Sequence, residues 1–129
     1  MSSENVDVMR RIIEAAGRKD NQAVLVDLDP ELEIDDTDIP ESTGSDSLLE
    51  WLARWDQAWE SWRIEDIEVR AAGDEQAIGL FRMVAKGKGS GVELARSDAV
   101  VASFRGGKVV KLGYYNDQAV ALEAVGLGA

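Results

Sequence analysis

Neither cysteine nor histidine occurs anywhere in the 129 residues. The first absence excludes disulfides, thiolate–metal sites and a cysteine nucleophile. The second removes the commonest metal ligand, the commonest catalytic base and every Ser-His arrangement at once. Acid–base chemistry would then fall to carboxylates, tyrosine or lysine with displaced pKa values. Positive charge is scarce as well: 14 Lys and Arg against 25 Asp and Glu leave a formal charge of −11. A duplex phosphate backbone must be met by a basic patch, and the scattered basic residues form none, so nucleic acid is excluded as an expected partner. Apolar residues recur periodically instead of running long enough for a membrane helix, and the N-terminus lacks a basic-then-apolar secretory profile. These features lead us to expect a cytoplasmic single domain, long enough to bury a core, without membrane contact.

What is present is a run of helical patterns followed by a run of strand patterns. Val6, Met9, Ile12, Ile13 and Ala16 fall on one side of a helix over about Ser3–Gly17. Asp20 can cap a second helix running to Leu28, ended by Asp29-Pro30. Leu32 to Asp35 reads as a short strand, and the polar, turn-rich segment from Asp36 to Gly44 as a loop. Leu48, Leu52, Trp55, Trp59 and Trp62 then recur at steps of four and three, predicting a helix over Ser45–Trp62 with Trp51 at the edge of its apolar face. Four Trp in this segment admit two readings, packing onto a sheet or a cage for a ligand. From Arg63 to Tyr115 the period becomes two, which predicts antiparallel strands, with Gly106-Gly107 as a tight turn before a closing helix from Gln118 to Leu127. The stretch Lys86-Gly-Lys-Gly-Ser-Gly91 lacks phosphate-loop spacing and leads into a strand, so it reads as a hairpin loop.

Candidate chemistry follows from strand alternation. Phe104, Ala102, Val100, Asp98 and Arg96 share one face, so Asp98 is either an ion-paired carboxylate beside Arg96 or an active acid. Asp35, Asp36 and Asp38 repel one another, which either raises one pKa into a useful range or leaves an exposed acidic turn. No other grouping suggests a metal site, and no cofactor is implied.

The order strand, Gly-Gly turn, strand and helix from Ser103 to Leu127 resembles the end of the SnoaL-like branch of the nuclear transport factor 2 superfamily, and the resemblance extends over nearly the whole chain. It implies an α+β fold: a cone-shaped, curved antiparallel sheet with three N-terminal helices on its concave face, a short C-terminal helix and one internal pocket. Laid over the ketosteroid isomerases, the catalytic aspartate falls on Asp36, while the two oxyanion donors fall on Ile12 and near Val100. The limonene epoxide hydrolase acids fall on Ala77-Ile-Gly79 and Tyr114, and the acid–base residue of the polyketide cyclases also falls on Tyr114. Tyr114 is thus either a hydrogen-bond donor or a pocket wall.

The resemblance implies a homodimer through the outer sheet face and an apolar pocket for a small hydrophobic or aromatic molecule. Ile12, Trp51, Trp55, Trp59, Phe81, Arg96, Val100 and Leu112 are its expected contacts, and Asp36, Asp98 and Tyr114 the groups to carry any isomerisation, cyclisation or hydrolysis. The alternative is a dimerisation or partner-binding module whose cone is filled by its own side chains; the size of the cavity separates the two.

Overall fold

The computed structural model describes the backbone of residues 2–36, 39–43 and 45–127 and the side chains of residues 4–34 and 48–127. Helices come first: α1 (Ser2–Gly17) and α2 (Asn21–Leu25), then strands β1 (Leu28–Asp36) and β2 (Ile39–Thr43), and helix α3 (Ser45–Ala58). Strands β3 (Trp59–Ala72), β4 (Gln76–Gly87), β5 (Glu93–Arg105) and β6 (Lys108–Tyr115) follow, and α4 (Gln118–Ala124) closes the chain. The six strands form one sheet in the order β2-β1-β6-β5-β4-β3. None of the described helices is long and apolar enough to cross a membrane.

Local chemistry accounts for most boundaries. Asp20 caps α2 by accepting from the Ala23 amide at 3.2 Å, and Asp117 caps α4 by accepting from Ala119 at 2.9 Å. Gly106 and Gly107, at φ 59° and 79°, supply the two positive dihedrals that a tight hairpin between β5 and β6 requires.

Four expectations need correction. The second helix stops at Leu25, and β1 takes up the chain from Leu28, with Asp29 and Pro30 inside the strand. The segment expected as a loop contains β2, an edge strand antiparallel to β1; Pro40 is tolerated because an edge needs hydrogen bonds on one side only. The sheet is mixed, since β1 runs parallel to β6 while β3 through β6 pair antiparallel. Finally, α3 ends at Ala58, so Trp59 and Trp62 belong to β3. A register irregularity between Trp59 and Ser61 explains the misreading. An extra residue at a bulge lets positions three apart share a strand face, which imitates helical spacing. A second irregularity between Glu65 and Glu68, with Asp66 at φ 54°, brings Ile64, Ile67 and Val69 to the same inner side.

Alternation along β4 and β5 creates two cores. The inner one gathers Ala77, Phe81, Met83, Ala102 and Phe104 beneath the buried faces of α1 and α3. The outer one places Ile78, Leu80, Ala99 and Val101 beneath Ala121 and Leu122 of α4 and the Val125 that caps it. Val100 and Val101 point to opposite faces, as expected, but the apolar outer face is covered within the chain. A second copy is therefore not needed to bury Val101.

Candidate functional site

The inner core is not completely filled. A cavity of about 60 Å³ lies between α1, α3 and the sheet, and its accessible wall is apolar throughout. Ile12, Trp51, Trp55, Phe81, Val100 and Leu112, six of the eight expected contacts, border it together with Tyr114. Met9 and Ile13 of α1, Ile34 of β1, Leu48 and Leu52 of α3 and Ile64 of β3 complete much of the wall. Their periodicity had marked several of them as core, but which core residues flank a void depends on how the helices cross the sheet. Trp59 and Arg96 are not in the wall.

Rings line one side. Trp51 and Trp55 have centroids 4.3 Å apart, Tyr114 lies 5.0 Å from Trp51 and 5.2 Å from Trp55, and Phe81 is 6.1 Å from Tyr114. These are tilted and edge-on contacts of the kind the ring quadrupole favours. Trp51 and Trp62 are buried, and Trp55 and Trp59 are partly buried against the same core. Helix α1 comes so close opposite that a Cβ on Gly79 would stand 2.2 Å from Ile13 Cδ1. Only glycine at this point of β4 leaves Ile13 its place in the wall.

Behind the rings is a polar network. Arg96 donates to Asp98 through Nε at 2.6 Å and Nη2 at 3.0 Å, and the Tyr114 hydroxyl donates to the same carboxylate. Asp98 is fully buried while the Arg96 side chain is half-exposed. Burial, reinforced by the Asp98 charge, pushes the Tyr114 phenol far above its ordinary value, and the hydrogen bond to Asp98 raises Arg96. Gln118 of α4 donates to the backbone carbonyls of Asp98 and Phe81 at 3.0 and 3.3 Å, tying the closing helix to these strands. Of the two readings of Asp98, the geometry displays the ion pair. Tyr114 is both wall and donor: its ring faces the cavity and its hydroxyl is committed to Asp98. The side chains of Asp35 and Asp36, and the whole of Asp38, lie outside the described residues, so Asp36 is not placed relative to the cavity.

One contact group near the cavity escaped the sequence reading. Lys19 Nζ stands 3.2 Å from the centroid of Trp62 and 3.5 Å from Asp56 Oδ1, and Asp56 accepts from Trp62 Nε1 at 2.6 Å. Trp62 meets Trp55 edge-to-face at 5.3 Å. No local pattern signals a contact between residues 43 positions apart.

No family model matches the sequence, and no curated protein matches it. Solved structures do match in three dimensions. A candidate polyketide cyclase from Xanthomonas campestris is 16% identical over 96% of this chain and 98% of its own, with a TM-score of 0.81. An NTF2-like protein of unknown function from Burkholderia pseudomallei is 18% identical, with 95% and 98% covered and a TM-score of 0.79. A protein of ketosteroid isomerase-like fold from Catenulispora acidiphila, in complex with trimethylamine, is 18% identical, with 94% and 93% covered and a TM-score of 0.74. At such identities the likeness establishes the fold alone, the α+β fold of NTF2-like and ketosteroid isomerase-like proteins.

Proposed function

We propose that the protein binds a small apolar or aromatic molecule in the cavity between α1, α3 and the sheet. The observation that carries this reading is the wall itself: apolar throughout, with the four rings Trp51, Trp55, Phe81 and Tyr114 on one side and aliphatic side chains of α1 on the other. Such a surface offers dispersion and the hydrophobic effect to a flat carbon skeleton and little to an anion. The network behind it supports binding rather than acid–base catalysis. Asp98 is already satisfied by donors from Arg96 and Tyr114, and the raised Tyr114 phenol keeps its proton. Their role in this reading is to hold the Tyr114 ring as a fixed wall.

Volume sets the second condition. Cavities of about 150 Å³ take up benzene, and the one present here measures about 60 Å³. A ligand larger than a few atoms therefore requires a wall residue to move, and partly buried Trp55 is the wall tryptophan that reaches solvent. The trimethylamine complex of the Catenulispora relative involves a ligand of similarly modest size. The small volume also favours a second reading, in which the cone is filled by its own side chains and serves only to support an interaction module.

Thermal unfolding with benzene, indole and naphthalene separates the two. A ligand that binds only the folded state at 100 times its Kd adds about 2.7 kcal/mol, so a saturable rise in midpoint with quenching of tryptophan fluorescence is expected. An unchanged midpoint with all three compounds would leave the filled-cone reading in possession.

A further inference from the structure

The turn that ends α1 carries a residue its backbone does not favour. The Asp20 amide reaches back to the Ala15 carbonyl at 2.9 Å and the Lys19 amide to Ala16 at 3.1 Å. Those paired bonds are the Schellman arrangement, in which the left-handed residue is customarily glycine. Here it is Lys19, at φ 62°. Glycine would close the same turn without steric cost, so the turn gives no reason for a side chain at this position. What the side chain does is cross to the α3–β3 junction. Its Nζ sits over the Trp62 ring at 3.2 Å and lies 3.5 Å from both Asp56 Oδ1 and the Trp62 carbonyl. Asp56 holds Trp62 from its indole nitrogen, and Trp62 backs Trp55, the partly buried ring of the cavity wall.

We propose that Lys19 is a latch on the cavity: by pinning Trp62 it keeps Trp55 in the closed position and so limits the size of molecule that enters. The inference rests on reading the cavity as a ligand site. The latch is built from weak parts, since the Lys19 and Asp56 side chains are 46% and 56% exposed. Ion pairs and cation–π contacts at such positions are modest and partly screened. Contacts this weak leave the latched and released states close together in free energy. A contact of this kind biases an opening without forbidding it. Xenon, small enough for the present void, should enter without release; benzene should need it.

Two variants separate a latch from a plain structural contact. Lys19→Gly removes the side chain and relieves the turn, while Lys19→Met keeps the strain and the alkyl chain but removes the charge. Acrylamide quenching of tryptophan fluorescence, benzene exchange and xenon binding by NMR, and the unfolding midpoint are measured on both. The expectation is about five-fold faster benzene entry in each variant, a factor equivalent to about 1 kcal/mol, with raised quenching, unchanged xenon binding and no fall in the midpoint of Lys19→Gly. A structural contact would lower that midpoint and leave entry unchanged. Quenching and benzene entry equal to the parent protein would overturn the latch. If no probe enters any form, the ligand reading fails, and quenching alone decides: raised values keep Lys19 as the restraint on Trp55, unchanged values remove it.

Discussion

The two faces of the β4–β5 strand pair are built from alternate residues of the same segments, yet one is sealed and the other is not. Outside, Ile78, Leu80, Ala99 and Val101 pack under the short helix α4, with Ile78, Ala99 and Ala121 wholly buried. Inside, Phe81 and Val100 share a wall with Trp51, Trp55 and Tyr114, and a cavity of about 60 Å³ remains. The difference lies in side-chain shape. Small and branched aliphatic groups interdigitate to crystal-like density, whereas rigid rings that meet edge-on can leave gaps that no neighbouring methyl group reaches. The inner face therefore keeps a void, and the outer face is closed by α4.

The largest test of that contrast is a matched pair of truncations. Phe81→Ala inside and Ile78→Ala outside should each destabilise by roughly 2–5 kcal/mol, the range for removing a buried large side chain. Benzene should restore part of the loss for Phe81→Ala, because the new space joins an existing cavity, and none for Ile78→Ala. Equal rescue by calorimetry, or none in either, would erase the distinction between the faces.

Next in size is Tyr114→Phe, which keeps the ring in the wall and removes its bond to buried Asp98. Hydrogen bonds to charged groups contribute about 1.5–3 kcal/mol, so a loss in that range is expected with probe binding retained. The pH dependence has a definite sign. Because the folded-state pKa of Tyr114 is raised, its contribution to stability is present below the unfolded value of about 10 and declines as pH rises beyond it. Denaturant titrations of the parent protein at alkaline pH should show this decline, and Tyr114→Phe should flatten it. An identical pH profile in the two proteins would show that Tyr114 is not held neutral by burial.

The smallest effect concerns the approach of α1 to the sheet. Gly79→Ala should cost about 1–3 kcal/mol through overpacking against Ile13. Adding Ile13→Val removes the methyl group that the new Cβ meets, so the double variant should be more stable than the sum of the single effects implies. Strict additivity would mean that the two residues do not touch.

Much of this was legible in the chain. The Met9, Ile12 and Ile13 stripe, the Asp20 cap, the Gly106-Gly107 turn and the alternation along β5 are local signals. Alternation alone put Asp98 and Arg96 beside each other on the face of Val100. Trp59 and Trp62 were misplaced because a bulged strand and a helix can share a spacing of three. The edge strand β2 was hidden because its polar residues and Pro40 suit a loop as well as an edge.

By itself, then, the sequence determined which residues are apolar on which face, the α+β order, and the exclusion of thiol and imidazole chemistry. Those properties are set by composition and by neighbours a few positions apart. Only the tertiary structure decided that Asp98 is held by Tyr114 and Arg96 together, that Gly79 makes room for Ile13, that α4 covers Val101, and that Lys19 lies over Trp62. Each of these depends on the distance and angle at which separate elements pack, and the size of a void is the residue of all such packings at once.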